Sequence, residues 1–160
     1  MSEVHCSCSC GKASLVVAGP VLGRVRCHCS ICQTANKAAF ADSTILMAKH
    51  VPLERVEHLA FKTLKKPSAL QRGFCRSCNC FLVAYSKPSR LFYLAFVPAA
   101  RYPAHIQLPE PVMHLCYESR IADVDDDLPK YSGLWPSQLA ALGMLIRARF
   151  SGPSRLRHEA

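Results

Sequence analysis

Long apolar runs are missing from this 160-residue chain, and none reaches the ~18 residues that would suggest a membrane span. The first residues, Met1 to Cys6, show no basic segment leading into an apolar one, so no secretory signal is expected. Aromatic residues are few at 8%, with one tryptophan, and they do not interleave with basic runs. That argues against the stacking platforms that single-stranded nucleic acid needs. Acidic residues are also scarce, 11 against 20 lysines and arginines, for a formal charge of +9. The segment from Ala60 to Arg76 holds Lys62, Lys65, Lys66, Arg72 and Arg76 and no acid. Arg147, Arg149, Arg155 and Arg157 form a second basic group. Such patches suit anionic partners or a solvated surface. Disorder is excluded by a composition that is half hydrophobic and 19% charged.

Cysteine is abundant. Seven of the ten fall in three clusters: Cys8 and Cys10; Cys27, Cys29 and Cys32; Cys75 and Cys78. A chain without a secretory signal is expected in a reducing, cytoplasmic setting, where clustered cysteines indicate metal or catalysis over disulfides. Two short pairs far apart in sequence can meet and close a tetrahedral four-sulfur zinc site. Gly11 after Cys10 and Asn79 after Cys78 suit the left-handed backbone such turns need, which favours Cys8 and Cys10 over Cys6 and Cys8. The middle cluster offers three thiolates from one loop. A second zinc held there keeps a position for water or substrate, unless Cys80, Cys116, His28 or His114 completes the shell. Cys6, Cys80 and Cys116 read as small buried hydrophobes. His114 reads equally as a core strand residue or a site residue.

The elements read as an antiparallel, mainly β domain with many short strands. Strands are expected over residues 13–18, 21–26, 39–47, 56–63, 69–74, 81–85 and 91–96, the last two joined by a hairpin turn at 86–90. Ser30 is expected to cap a short helical turn running to Asn36. Pro98 to Pro111 reads as loop with a short helix, and Asp123 to Pro129 as loop. A helix is expected from Ser137 to Phe150, stopped by Gly152 and Pro153.

The order of these motifs resembles the glutathione-dependent formaldehyde-activating enzyme family, which includes the centromere protein V-like proteins. The match runs through Cys8, Cys10 and Gly11, then Cys27, His28, Cys29 and Cys32, then Ala38 to Phe40. It continues through Arg72 to Cys78, His114, and Asp127 to Pro129, covering roughly residues 5 to 133. The resemblance implies a zinc-stabilised fold of the β-tent kind and carbon–sulfur lyase activity that joins formaldehyde to glutathione. It implies Cys8, Cys10, Cys75 and Cys78 as structural zinc ligands, and Cys27, Cys29 and Cys32 as ligands of a second, catalytic zinc. Two departures stand out. Asn79 and Cys80 replace the family's usual glycine and non-cysteine, and residues 134–160 extend past its usual end. Residues 1–133 therefore read as the zinc-binding domain and 134–160 as a helical extension. Lys65, Lys66 or Arg72 would meet the carboxylates of glutathione. The alternative is a zinc-stapled module binding nucleic acid or protein, which the aromatic content does not favour. The extension is expected to pack on its own sheet or form a homodimer interface, ahead of lying on a membrane surface.

Overall fold

The computed structural model describes residues 3–65, 70–87, 93–152, 154 and 156–158. In chain order the strands and helices are β1 (Val4–Ser7), β2 (Ser14–Val17), β3 (Gly23–Cys27), α1 (Ser30–Asn36), β4 (Ala41–Met47), β5 (Leu59–Lys62), β6 (Leu70–Cys75), β7 (Phe81–Ser86), β8 (Leu94–Pro98), β9 (Ile106–Gln107), β10 (His114–Leu115), α2 (Leu134–Ser151) and β11 (Arg157–His158). The chain is mainly β with a C-terminal helix, as its short strands and lone helical period imply.

Seven strands form one sheet in the order β10-β3-β4-β8-β7-β6-β5. Its pairings are antiparallel except β10 with β3, which sets Leu115 opposite Cys27. The central strands read as continuous apolar runs because both faces are covered. Successive residues of β4 show this: Leu46 enters one core with Val4, Cys6 and Leu15 of the β1–β2 hairpin, and Ile45 enters another with Val25 and Leu145. On β8, Ala95 and Val97 join the hairpin side, whereas Leu94 faces the helices. Helix α1 crosses that second face, where its Ala35 packs with Phe74, Phe81 and Ala84.

Several element bounds differ from the sequence reading. Helix α2 begins at Leu134, three residues early, with Pro136 inside its first turn. A proline is tolerated there because the first amides of a helix lack intrahelical partners anyway. The residue before α1 is Cys29, and no side chain caps it, so Ser30 is the first helical residue and not a cap. Strand β5 is shorter than residues 56–63 because Leu53–Arg55 form a 3-10 turn and His58 takes φ 54°. Strand β8 begins at Leu94; the hairpin tip at 88–90 and residues 91–92 lie outside the described residues, as does Ala69 before β6. Among the described residues no helix is long and apolar enough to cross a membrane.

Candidate functional site

The first cysteine cluster forms where the end of β1 meets the end of β6. Sulfurs of Cys8, Cys10, Cys75 and Cys78 all lie within 4.8 Å of one another. Cys8 and Cys10 are 3.3 Å apart, and Cys10 and Cys75 are 3.7 Å apart. A zinc ion with sulfurs at about 2.3 Å sets them about 3.8 Å apart in a tetrahedron, so this donor set fits zinc. Two tight turns hold it, closed by bonds from the Gly11 amide to the Cys8 carbonyl and from the Asn79 amide to the Cys75 carbonyl, each 3.0 Å. Gly11 and Asn79 both have positive φ, 73° and 54°, as their residue types suggest. Backbone amides also point at sulfur: Ala13 donates to Cys8 Sγ at 3.2 Å and Ser77 to Cys75 Sγ at 3.4 Å. Burial opposes ionisation of Cys78, but donors from the Cys80 amide and the neighbouring thiols outweigh it and lower the thiol to about 6. Cys8 is lowered as well, whereas at Cys10 the Lys12 amide is outweighed by the thiols of Cys8 and Cys78, which push it up to about 12.

The second cluster sits at the junction of β3 and α1. Cys27 ends the strand, Cys29 precedes the helix and Cys32 lies in its first turn, and their sulfurs are mutually within 4.8 Å. No other histidine, cysteine or carboxylate among the described residues joins that set. Thiols of Cys27 and Cys32 donate to Cys29 and, with the Cys32 amide, hold it far below the ordinary thiol range. Cys27 is driven upward, first by Cys116 and then by Cys29 and Cys32. A divalent ion bound there would displace the thiol protons and be held by all three sulfurs.

Arg72 adds a cation. It projects from β6 on the same face as Phe74, which packs beneath α1, and it is 6% exposed. Its charge is felt at both Cys29 and Cys32. Among the described residues no carboxylate forms an ion pair with it. Of the basic residues named from the sequence, Lys66 lies outside the described residues, Lys65 is exposed, and Arg72 is brought to the cluster.

Cys116 and His28 border the same cluster. Strand β10 carries Leu115 beside Cys27, and the His28 amide donates to the Leu115 carbonyl at 2.9 Å. Cys116 follows in a left-handed conformation, φ 53°, with its amide bonded to Ser137 Oγ at 2.9 Å. Its half-buried thiol reaches Cys27 without entering the three-sulfur set. Cys6 is fully buried, and Cys80 bonds the Phe81 carbonyl; neither belongs to a cluster.

His28, 1% exposed, stands between two cluster cysteines and turns Nε2 toward Nδ1 of buried His114, 2.8 Å away. Nε2 of His114 lies 2.9 Å from Oδ2 of Asp126, which Arg26 also contacts at 2.7 Å, while Lys130 contacts Oδ1 at 3.0 Å. The carboxylate only accepts, so His114 carries its hydrogen on Nε2. The hydrogen bond between His28 Nε2 and His114 Nδ1 leaves Nδ1 as the other ring nitrogen of His28. That atom is buried and has no partner among the described residues. Burial, then the nearby charges of His114, Arg120 and Arg26, lower the His28 pKa and keep its ring neutral. Phe40 and Tyr117 pack against the imidazole at 5.1 and 5.0 Å between centroids. His114 is therefore both a strand residue and part of a polar chain that ends at the cluster.

Residues 3–118 match the family described as glutathione-dependent formaldehyde-activating enzyme. The chain belongs to that family. A search of curated proteins found no match. The family match spans both cysteine clusters, Arg72, His114 and Cys116, whereas Asp126 and α2 lie beyond it. Sequence reasoning passed over Asp126, one of four aspartates in a segment that reads as loop; only its place beside the Asp127 to Pro129 ending hinted at a role.

Proposed function

We propose that this member of the formaldehyde-activating family is a zinc-dependent carbon–sulfur lyase. It forms or cleaves a thiol–aldehyde adduct such as S-hydroxymethylglutathione. The observation that carries this reading is the convergence of Cys27, Cys29 and Cys32 on one point, with no fourth ligand in the set among the described residues. In this reading Cys8, Cys10, Cys75 and Cys78 hold a structural zinc, and the three-cysteine loop holds a catalytic one. Zinc held by three thiolates supplies a coordination position that favours an incoming thiol as its thiolate.

The chain's own residues do the rest. Arg72 offsets the negative charge that accumulates when a fourth sulfur approaches three thiolates, and its guanidinium suits a carboxylate of the tripeptide. His28, locked through His114 to Asp126, fixes the backbone between Cys27 and Cys29. In the forward direction the thiol sulfur forms a bond to the formaldehyde carbon, the carbonyl π pair moves to oxygen, and that oxygen takes the proton the thiol gave up. The reverse breaks the same carbon–sulfur bond and returns the proton to sulfur. Residues 1–133 form the reacting unit in this scheme and residues 134–160 an extension, in a reducing, cytoplasmic setting that keeps the clusters as thiols.

The test mixes zinc-loaded protein with glutathione and formaldehyde and times adduct formation by NMR. A rate above the protein-free reaction, lost in Cys29→Ser, is expected. A rate equal to the protein-free control removes the lyase reading for this substrate.

A further inference from the structure

Helix α2 is apolar on two opposite sides. Its inner side buries Ser137, Leu145 and Ala148 against the sheet, with Met144 and Ala140 packed beside them. Its outer side carries Trp135, Leu139, Leu142, Ile146 and Phe150, all exposed, with Trp135 at 76% and Phe150 at 85%. Their spacing of four, three, four and four residues draws one stripe along the helix, the pattern of a seam between paired helices. At ~1.5 Å per residue the stripe is about 22 Å long. Gly143 lies beside it, and a Cβ built there meets nothing within 4 Å, so another backbone can come close.

We propose that this stripe is the interface between two copies of the chain, packed as an antiparallel α2 pair about a twofold axis. Two arguments select this occupant. The first is area: with each aromatic offering ~150–250 Å², the five side chains expose on the order of 700 Å², close to the ~800 Å² per partner of a standard stable interface. The second is charge. Helix α2 contains no acid, and its cations, Arg147 and Arg149, lie near its C-terminal end. Parallel packing would crowd four arginines together. Antiparallel packing sends them to the partner's N-terminal end, where the Glu118 carboxylate binds the Gly133 amide at 2.7 Å. A twofold axis near Leu142 and Gly143 makes the stripe self-complementary, as isologous contacts require.

The same contact braces the second cysteine cluster, because Ser137 in the first turns of α2 holds the Cys116 amide. The proposal stands independently of the lyase reading.

Analytical ultracentrifugation of the full zinc-loaded chain from 1 to 100 µM tests it, together with the emission of Trp135, the one tryptophan. A dimer is expected, with Trp135 emission moving to shorter wavelength as the dimer forms. The variant Leu139→Glu/Ile146→Glu should weaken dimerisation at least tenfold and keep water-like emission, while its zinc content and circular dichroism match the parent. A monomeric parent across this range overturns the proposal, as does a dimer that the variant leaves intact. A parent whose tryptophan shifts only on adding anionic vesicles also overturns it, in favour of a membrane surface.

Discussion

Replacing His114 with phenylalanine keeps a flat ring of similar size in a fully buried position and removes both ring nitrogens. His28 Nε2 then loses its hydrogen-bond partner, His114 Nδ1. A buried polar group left without a partner costs about 1–3 kcal/mol, and the expected loss at His28 is ~2 kcal/mol. Asp126 adds little, since it remains partly exposed and keeps Arg26 and Lys130. The freed imidazole also loosens the backbone between Cys27 and Cys29, so zinc affinity of the second cluster should fall by about tenfold, the low end for a lost outer-shell contact. Urea denaturation of zinc-loaded protein reads the first effect, and competition with a chromophoric chelator reads the second. The double variant His28→Phe/His114→Phe separates the causes. Replacing both partners by apolar rings removes the unpaired polar group, so it should recover much of the stability but not the affinity. A His114→Phe protein within about 0.5 kcal/mol of the parent, with unchanged affinity, would refute this role for the histidine chain.

Two further outcomes follow from the geometry around the clusters. Arg72→Met removes a buried cation that favours thiolate at Cys29 and Cys32, so the thiols should ionise at higher pH; cobalt loading of the second cluster, followed by its thiolate absorption, should show its midpoint displaced upward, and an unmoved midpoint would mean that the arginine does not act there. At Asn79, whose φ is 54°, Gly should be tolerated, whereas β-branched Val should cost about 1–2 kcal/mol; equal unfolding midpoints for the two variants would speak against a strained turn.

Much of the site was legible because cysteine spacing is a local signal. The pairs Cys8 with Cys10 and Cys75 with Cys78, and the left-handed residues Gly11 and Asn79, could be read within a few positions of one another. Their meeting across sequence followed from the four-sulfur requirement of zinc. The double-sided burial of β7 and β8 was likewise written in the unbroken apolar runs Phe81 to Tyr85 and Leu94 to Val97. What escaped reading depends on distant contacts. Strand β10 has two residues and exists because His114 and Leu115 pair with Arg26 and Cys27, so no periodicity marks it. Asp126 differs from its aspartate neighbours only in what lies opposite it. Helix α2 gained a turn at its start because Gly133 at φ 87° turns the chain and Pro136 falls where its missing amide is harmless. Its outer stripe was visible as apolar residues, but only solvent exposure shows which of them the sheet leaves uncovered.

The central claim is that two sulfur clusters bind metal separately, one with four ligands and one with three. Metal analysis of the purified chain beside Cys8→Ser and Cys27→Ser tests it most directly. Two zincs in the parent are expected, with one remaining in folded Cys27→Ser and a loss of fold in Cys8→Ser. A parent that binds a single zinc, or a Cys27→Ser protein that still binds two, would contradict it.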